Sequence, residues 1–319
     1  MPNAEKTDAV RVVIDEASFD FRPLANDELE LHMDRFNEAI WSLRDAGIPA
    51  WKPPMFEAVP CSDGYELFDF LMSGPGASVD RDTRYRFFQL IGKCPEWDAS
   101  IPGCDEVVLA DAVPAMAMSV ALALTLVVLH QGVSCLVFGG CPRHGFVKAG
   151  SKIGSADLFF FTKVTEMFPF WRSLFELEDV PEAGFFDMTS RAFPCLVFHS
   201  GLSFRRFEGS YRDIRPRVVT HLAALNDHFL AAHRAAHGIP QQVEAALADL
   251  GCAGVSPESP NTHRSERKMR QRDVDHDGNV IRCEWHTKLE PHRNRIHFAF
   301  GGSLDSKILI GIFVDHLDT

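Results

Sequence analysis

The run Val280-Ile-Arg-Cys-Glu-Trp-His-Thr-Lys-Leu289, followed by Arg293-Asn-Arg-Ile-His-Phe-Ala-Phe300, alternates apolar and polar residues in steps of two. That period belongs to an extended chain, whose successive side chains point to opposite sides. In the first run Ile281, Cys283, Trp285 and Leu289 fall on one side, and Arg282, Glu284, His286 and Lys288 on the other. The second run divides Ile296, Phe298 and Phe300 from Arg293, Arg295 and His297. A short connection through Pro291 predicts antiparallel pairing of the two. Glu284, His286, Lys288, Arg293, Arg295 and His297 would then share one surface. Lys307–Val314 is apolar on both sides and is expected as the buried strand beside them, ending at Asp315-His316. Just upstream, His276-Asp277-Gly278-Asn279 reads as a hairpin turn, because Asp-Gly adopts the backbone angles such turns demand.

Outward from this module, Ser256-Pro-Glu-Ser-Pro-Asn-Thr262 has two prolines, small polar residues and no apolar anchor, which marks a boundary. The expected organisation is an α/β body over 1–255, a linker at 256–262 and a basic β-rich module over 263–319. In the body, Val10–Ile14 reads as a strand. A helix follows from Asp27, with Leu29, Met33, Phe36, Ile40 and Leu43 spaced three or four apart. Ile48–Trp51, Val107–Ala110, Cys135–Phe138, Leu158–Phe161 and Leu196–Phe198 read as further strands. Helices are expected at Tyr65–Met72, Asp82–Gly92, from Pro114, Glu166–Leu177, Pro181–Ala192, Asp213–His237 and Gln241–Leu250. This alternation predicts a mixed α/β fold with a mostly parallel sheet, and a small antiparallel C-terminal sheet.

The 319 residues include 46% apolar side chains, enough for a substantial core without disulfides or metal. A net charge of -12 argues against indiscriminate attraction to nucleic acid or anionic membrane. Residues 262–297 depart from that average, with nine Arg and Lys against six Asp and Glu, and five of the 14 His. The eight cysteines show no CxxC pair and sit mostly in apolar runs, as reduced thiols of a cytoplasmic protein do. The first residues carry no signal-peptide pattern. Ala112–Leu129 is uncharged, but it lacks flanking basic residues and runs into a strand, so a buried helix is expected there rather than a membrane span.

The shared polar surface carries the chemistry. Imidazoles and a carboxylate exchange protons near neutral pH, while Arg and Lys hold phosphate oxygens. Glu284, His286 and His297 are therefore the candidate catalytic residues. Lys288, Arg293, Arg295 and Arg282 are candidate phosphate or nucleic-acid contacts, with no metal required. A metal-dependent variant reads Glu284-x-His286-x-Lys288 as a nuclease E-x-K strand, with Asp273, Asp275 or Asp277 supplying the earlier carboxylate to Mg²⁺. A zinc triad of His286, His297 and His316 is a further alternative, and solvated cross-strand pairs are the purely structural one. Elsewhere Asp15, Asp105 and Asp111 read either as turn and cap residues, the commoner role of an Asp after a strand, or as the acidic site of a PIN-like nuclease, and Arg205-Arg206 beside Phe204 and Phe207 suggests either a nucleic-acid contact or a surface strand.

The block Cys283-Glu-Trp-His-Thr-Lys, Arg295-Ile-His-Phe and Ile308-Leu-Ile-Gly-Ile-Phe with His316-Leu resembles the end of a group of uncharacterised bacterial proteins, some associated with defence or toxin-type loci. Residues 280–317 also resemble the strand pattern of RelE/HigB ribosome-dependent RNases. The helical hairpin that opens such domains is not evident here, and no catalytic assignment carries over. The resulting expectation is a nucleic-acid-directed effector, a metal-independent RNase or nuclease, with RNA or DNA and a protein from the same locus as partners. Its alternative is a non-catalytic scaffold that docks through the basic module.

Overall fold

Val12, Val13 and Ile14 have no polar side and are wholly buried, as befits a strand covered on both faces. The computed structural model describes residues 10–98, 107–109, 114, 115 and 117–317, so Asp105 and Asp111 lie outside the described residues. The chain is mixed α/β and divides into two compact units, 1–170 and 171–319.

In the first unit β1 (Val12–Ile14) leads to α1 (Asn26–Asp45), which buries Leu29, Met33, Phe36, Ile40 and Leu43, the stripe its spacing predicts. β2 (Ala50–Trp51), the hairpin β3 (Pro60–Ser62) and β4 (Tyr65–Glu66), α2 (Leu67–Met72) and α3 (Arg81–Ile91) follow. Asp80 caps α3 by accepting from the backbone N–H groups of Asp82 and Thr83. Then come β5 (Val107–Leu109), β6 (Pro114–Ala115), α4 (Met118–Val128), β7 (Ser134–Leu136), β8 (Gly145–Ser151) and β9 (Gly154–Phe161). The sheet order is β2-β1-β7-β9-β8-β5-β6. β2, β1, β7 and β9 are parallel, and the remaining strands extend the sheet antiparallel.

The helix expected from Pro114 starts later, at Met118, because Pro114–Ala115 pairs with β5. At 11 residues α4 is short, and no described helix is long and apolar enough to cross a membrane. β8 was not foreseen; its Gly, Lys and Ser content gives little β-branched signal, and Phe146 points outward, 48% exposed.

The boundary between units falls inside α5 (Phe168–Leu177). In the second unit come α6 (Glu182–Ala192), β10 (Leu196–Phe198) and α7 (Tyr211–Ala224). α7 continues through a π-turn at Leu225–Phe229 into α8 (Leu230–Ala235), then α9 (Pro240–Ala248). The remainder is β11 (Ser256–Pro257), α10 (Pro260–His263), α11 (Glu266–Met269), the hairpin β12 (Asp273–His276) and β13 (Asn279–Arg282), then β14 (Trp285–Lys288), β15 (Arg295–Phe300) and β16 (Ile308–Val314). The sheet order is β10-β16-β15-β14-β11, antiparallel except for β10 against β16. The segment 256–262, read as a linker, thus supplies an edge strand inside this unit.

One face of the second sheet packs on helices: Phe229 meets Trp285 at 5.4 Å and Phe298 at 4.9 Å, ring centre to ring centre. On that face His221 Nδ1 lies 2.6 Å from Thr287 Oγ1 and 3.4 Å from Cys252 Sγ. The opposite face is covered by the β12–β13 hairpin, with Val274 and Cys283 against Ala299, Leu309, Ile312 and Val314. Gly311 sits at a register shift in β16, where a Cβ would lie 2.3 Å from Cys283 Sγ.

Two outcomes follow from this packing. Gly311→Ala should destabilise the chain by about 1–3 kcal/mol through overpacking, and adding Cys283→Ala should recover part of that; urea midpoints that are unchanged in the single variant would contradict the tight approach. Burial, and secondarily Arg217, push His221 down to about 4 from an ordinary 6.5. Its neutral form is therefore favoured by folding, so its contribution is whole above about pH 6.5 and is lost as the pH falls toward 4. The stability gap between the native chain and His221→Gln should narrow between pH 7.5 and 4.5, and a gap that stays constant would exclude this linkage.

Candidate functional site

β14 and β15 pair in the predicted register, with His286 opposite His297 and Lys288 opposite Arg295. The two rungs are two residues apart and share a face. That face is not an open surface. His297 is 0% and His286 7% exposed, because the chain between β11 and β14 folds over them.

This covering segment brings Glu258 to the histidines and Arg272 to Glu258. β11 aligns along β14, with Ser256 opposite His286, and the Glu258 N–H donates to the Glu284 carbonyl at 2.8 Å. Ser259 then turns the chain into α10 by accepting from the Thr262 N–H, leaving Glu258 buried. Arg272 ends the 3₁₀ turn after α11; its carbonyl accepts from the Cys283 N–H at 2.9 Å, and its guanidinium donates to the Lys268 carbonyl at 2.8 Å. Arg272 Nε stands 2.8 Å from Glu258 Oε1, and both residues are buried.

His286 Nδ1 and His297 Nδ1 lie 3.5 and 3.4 Å from the same Oε1. Neither nitrogen makes a well-formed hydrogen bond, and His297 Nε2 is also unpartnered. Burial opposes a charge on Glu258, yet the surrounding His286, His297 and Arg272 outweigh it and hold the carboxyl well below the usual range. Burial likewise pushes His297 down, to about 4, in spite of Glu258, so its imidazole is neutral near pH 7. The neighbouring rung is only half-buried. Burial pulls the Arg295 guanidinium down against the opposing charge of Glu258, and its Nε has no hydrogen-bond partner.

The remaining candidates stand apart from the cluster. Among described residues the group of three His, Cys, Asp or Glu side chains whose ligand atoms all lie within 4.8 Å of one another is Glu258, His286 and His297, so the carboxylate is Glu258 where the sequence points to Glu284. Glu284 contributes its backbone carbonyl. The parity argument fails there because the chain turns between β13 and β14, with Glu284 N–H bonding back to the Arg282 carbonyl. Arg282 is held by Asp273 (2.6 Å) and Glu266 (3.0 Å), and Arg293 by Glu290 and Glu208. Asp273 is thereby engaged, Asp275 accepts from Gly278 N–H, and Asp277 faces His276, so the hairpin itself occupies the acids of the E-x-K reading. His316 is exposed and outside the cluster. Arg205 and Arg206 lie on a 3₁₀ turn between buried Phe204 and Phe207 rather than on a strand.

In the first unit Asp15 is buried at the end of β1. Its Oδ1 accepts from the Ala17 N–H and its Oδ2 pairs with Arg143 at 3.0 Å. A cavity of about 700 Å³ opens there, between the segments that follow β1 and β7. This is the switch point of the parallel strands, where ligands of open α/β sheets gather. Comparison with protein-family models, curated proteins and solved structures finds no match to this chain.

Glu258→Ala leaves Arg272 buried without its carboxylate and should cost about 3–5 kcal/mol. Glu284→Gln should stay within about 0.5 kcal/mol of the native chain. Equal urea midpoints for the two variants would contradict the assignment of Glu258 as the buried carboxylate.

Proposed function

We propose that the chain is a nucleic-acid-directed effector whose C-terminal unit cleaves phosphodiesters. One observation carries this reading. A rung of two cations, Lys288 opposite Arg295, lies beside a rung of two imidazoles, His286 opposite His297, on one face of one strand pair. Lys288 and Arg295, half-buried, are the contacts for phosphate oxygens, in keeping with the strength of guanidinium–phosphate pairing. Glu258, paired with Arg272, lies against the imidazole rung, so the carboxylate role falls to Glu258 and not to Glu284. Arg282 and Arg293, each held by two carboxylates, are left out of phosphate binding. The resemblance of the C-terminal block to defence- and toxin-associated proteins agrees with an effector role.

The full burial of His297 favours a second reading, in which the cluster only rigidifies a non-catalytic docking module.

The test is hydrolysis of end-labelled single- and double-stranded RNA and DNA, with EDTA or with added Mg²⁺, Mn²⁺ or Zn²⁺. Cleavage by the native chain should fall at least about 100-fold in His297→Asn. Lys288→Ala with Arg295→Ala should weaken substrate binding and flatten its salt dependence. Binding without hydrolysis under every condition would leave the docking module and end the enzyme reading.

A further inference from the structure

From the geometry we infer that Glu258, His286 and His297 form a binding site for one divalent transition-metal ion. Three features of the cluster point to it, and none depends on the proposed nuclease activity.

The first is spacing. A tetrahedral ion bonded to N and O ligands at about 2.0–2.1 Å sets its ligand atoms roughly 3.3–3.4 Å apart. The two edges from Glu258 Oε1, to His286 Nδ1 and His297 Nδ1, are 3.5 and 3.4 Å. These are too long for good hydrogen bonds and close to ligand-to-ligand edges around a shared ion. The second is the lack of other partners. Both Nδ1 atoms are buried and unbonded, a costly state for imidazoles more than nine-tenths enclosed. An ion gives each lone pair a partner.

The third is the surroundings of the carboxylate. A metal-ligating carboxylate is ordinarily held by a charged or polar group from outside the ligand set, and the Arg272 guanidinium is that group here, with Nε 2.8 Å from Glu258 Oε1. Two imidazoles and one carboxylate favour zinc, iron or manganese over magnesium, which prefers oxygen ligands alone. With Arg272 and Arg295 alongside, a bound dication leaves a surplus of positive charge. An anionic fourth ligand, hydroxide or a phosphodiester oxygen, offsets that surplus. Only this last point rests on the proposed function, which supplies the phosphodiester as that anion.

The test uses the full chain, stripped with EDTA and dialysed, then titrated with Zn²⁺, Mn²⁺, Co²⁺ and Mg²⁺. One equivalent of Zn²⁺ or Co²⁺ should bind with micromolar or tighter affinity, raising the melting temperature, while Mg²⁺ does neither. Co²⁺ should give the visible bands of a four- or five-coordinate site. His286→Gln and His297→Gln should weaken Zn²⁺ binding by at least about 100-fold. Because either substitution can unfold the chain, X-ray absorption of the native Zn²⁺ form provides a readout without variants: two imidazoles and at least one oxygen are expected. No stoichiometric binding by the native chain, a coordination shell with a different histidine number, or undiminished binding in folded variants each overturns the inference. Metal bound without nuclease activity leaves this site standing and removes the proposed function; cleavage in EDTA by a chain that binds no metal does the reverse.

Discussion

The second unit is organised around one buried ion pair, Arg272 Nε to Glu258 Oε1. Neither group has solvent to fall back on, so each makes the position of the other obligatory. Their backbones are tied down too, Arg272 through its carbonyl to Cys283 and Glu258 through its N–H to Glu284. The pair therefore draws together three successive segments of the chain: the end of β11, the turn after α11 and the entry to β14. The cover over His286 and His297 and the separation of β13 from β14 both follow from that closure. An apolar substitute for the pair would fill the space, but it would not hold a carboxylate oxygen between two imidazoles.

Part of this arrangement is legible in the sequence. The period-two pattern of 285–288 and 295–300 contains the facing of His286 to His297 and of Lys288 to Arg295, because side-chain parity and a short connection leave little choice of register. The same pattern is silent about what lies over a polar face, since a covered cluster and a solvated one alternate identically. It is also interrupted by the turn at Cys283-Glu284, after which Cys283 packs beneath the hairpin while Trp285 packs on the helices. Glu258 was hidden by its neighbours. Pro257 and Pro260 have the look of a linker, yet Pro257 occupies an edge strand, where a missing N–H is tolerated.

The division into units is similarly obscured. It falls within the aromatic helix α5, where no run of small or polar residues announces it, whereas the Pro- and Ser-rich segment that does look like a boundary is structural. In the first unit the alternation of strand and helix is read more easily. A run such as Val12–Ile14, apolar on both sides, suits a strand of a parallel sheet covered on both faces. In the antiparallel flank β5 is legible as Val-Val-Leu, but β8, with two glycines, Ala, Ser and Lys among its seven residues, carries little such signature.

β16 is buried along its whole length and lies between β10 and β15, although it follows β10 by more than a hundred residues. Its position has a cost during synthesis. Until Ile308–Val314 leaves the ribosome, β10 and β15 each present an unpaired edge, and the nascent second unit has no continuous sheet. Pairing across so large a separation is slow relative to local structure, and Ile-Leu-Ile-Gly-Ile-Phe-Val is itself a sticky segment while it waits. Folding of this unit is thus bound to a late, long-range insertion, and two sheet edges stay open until it happens.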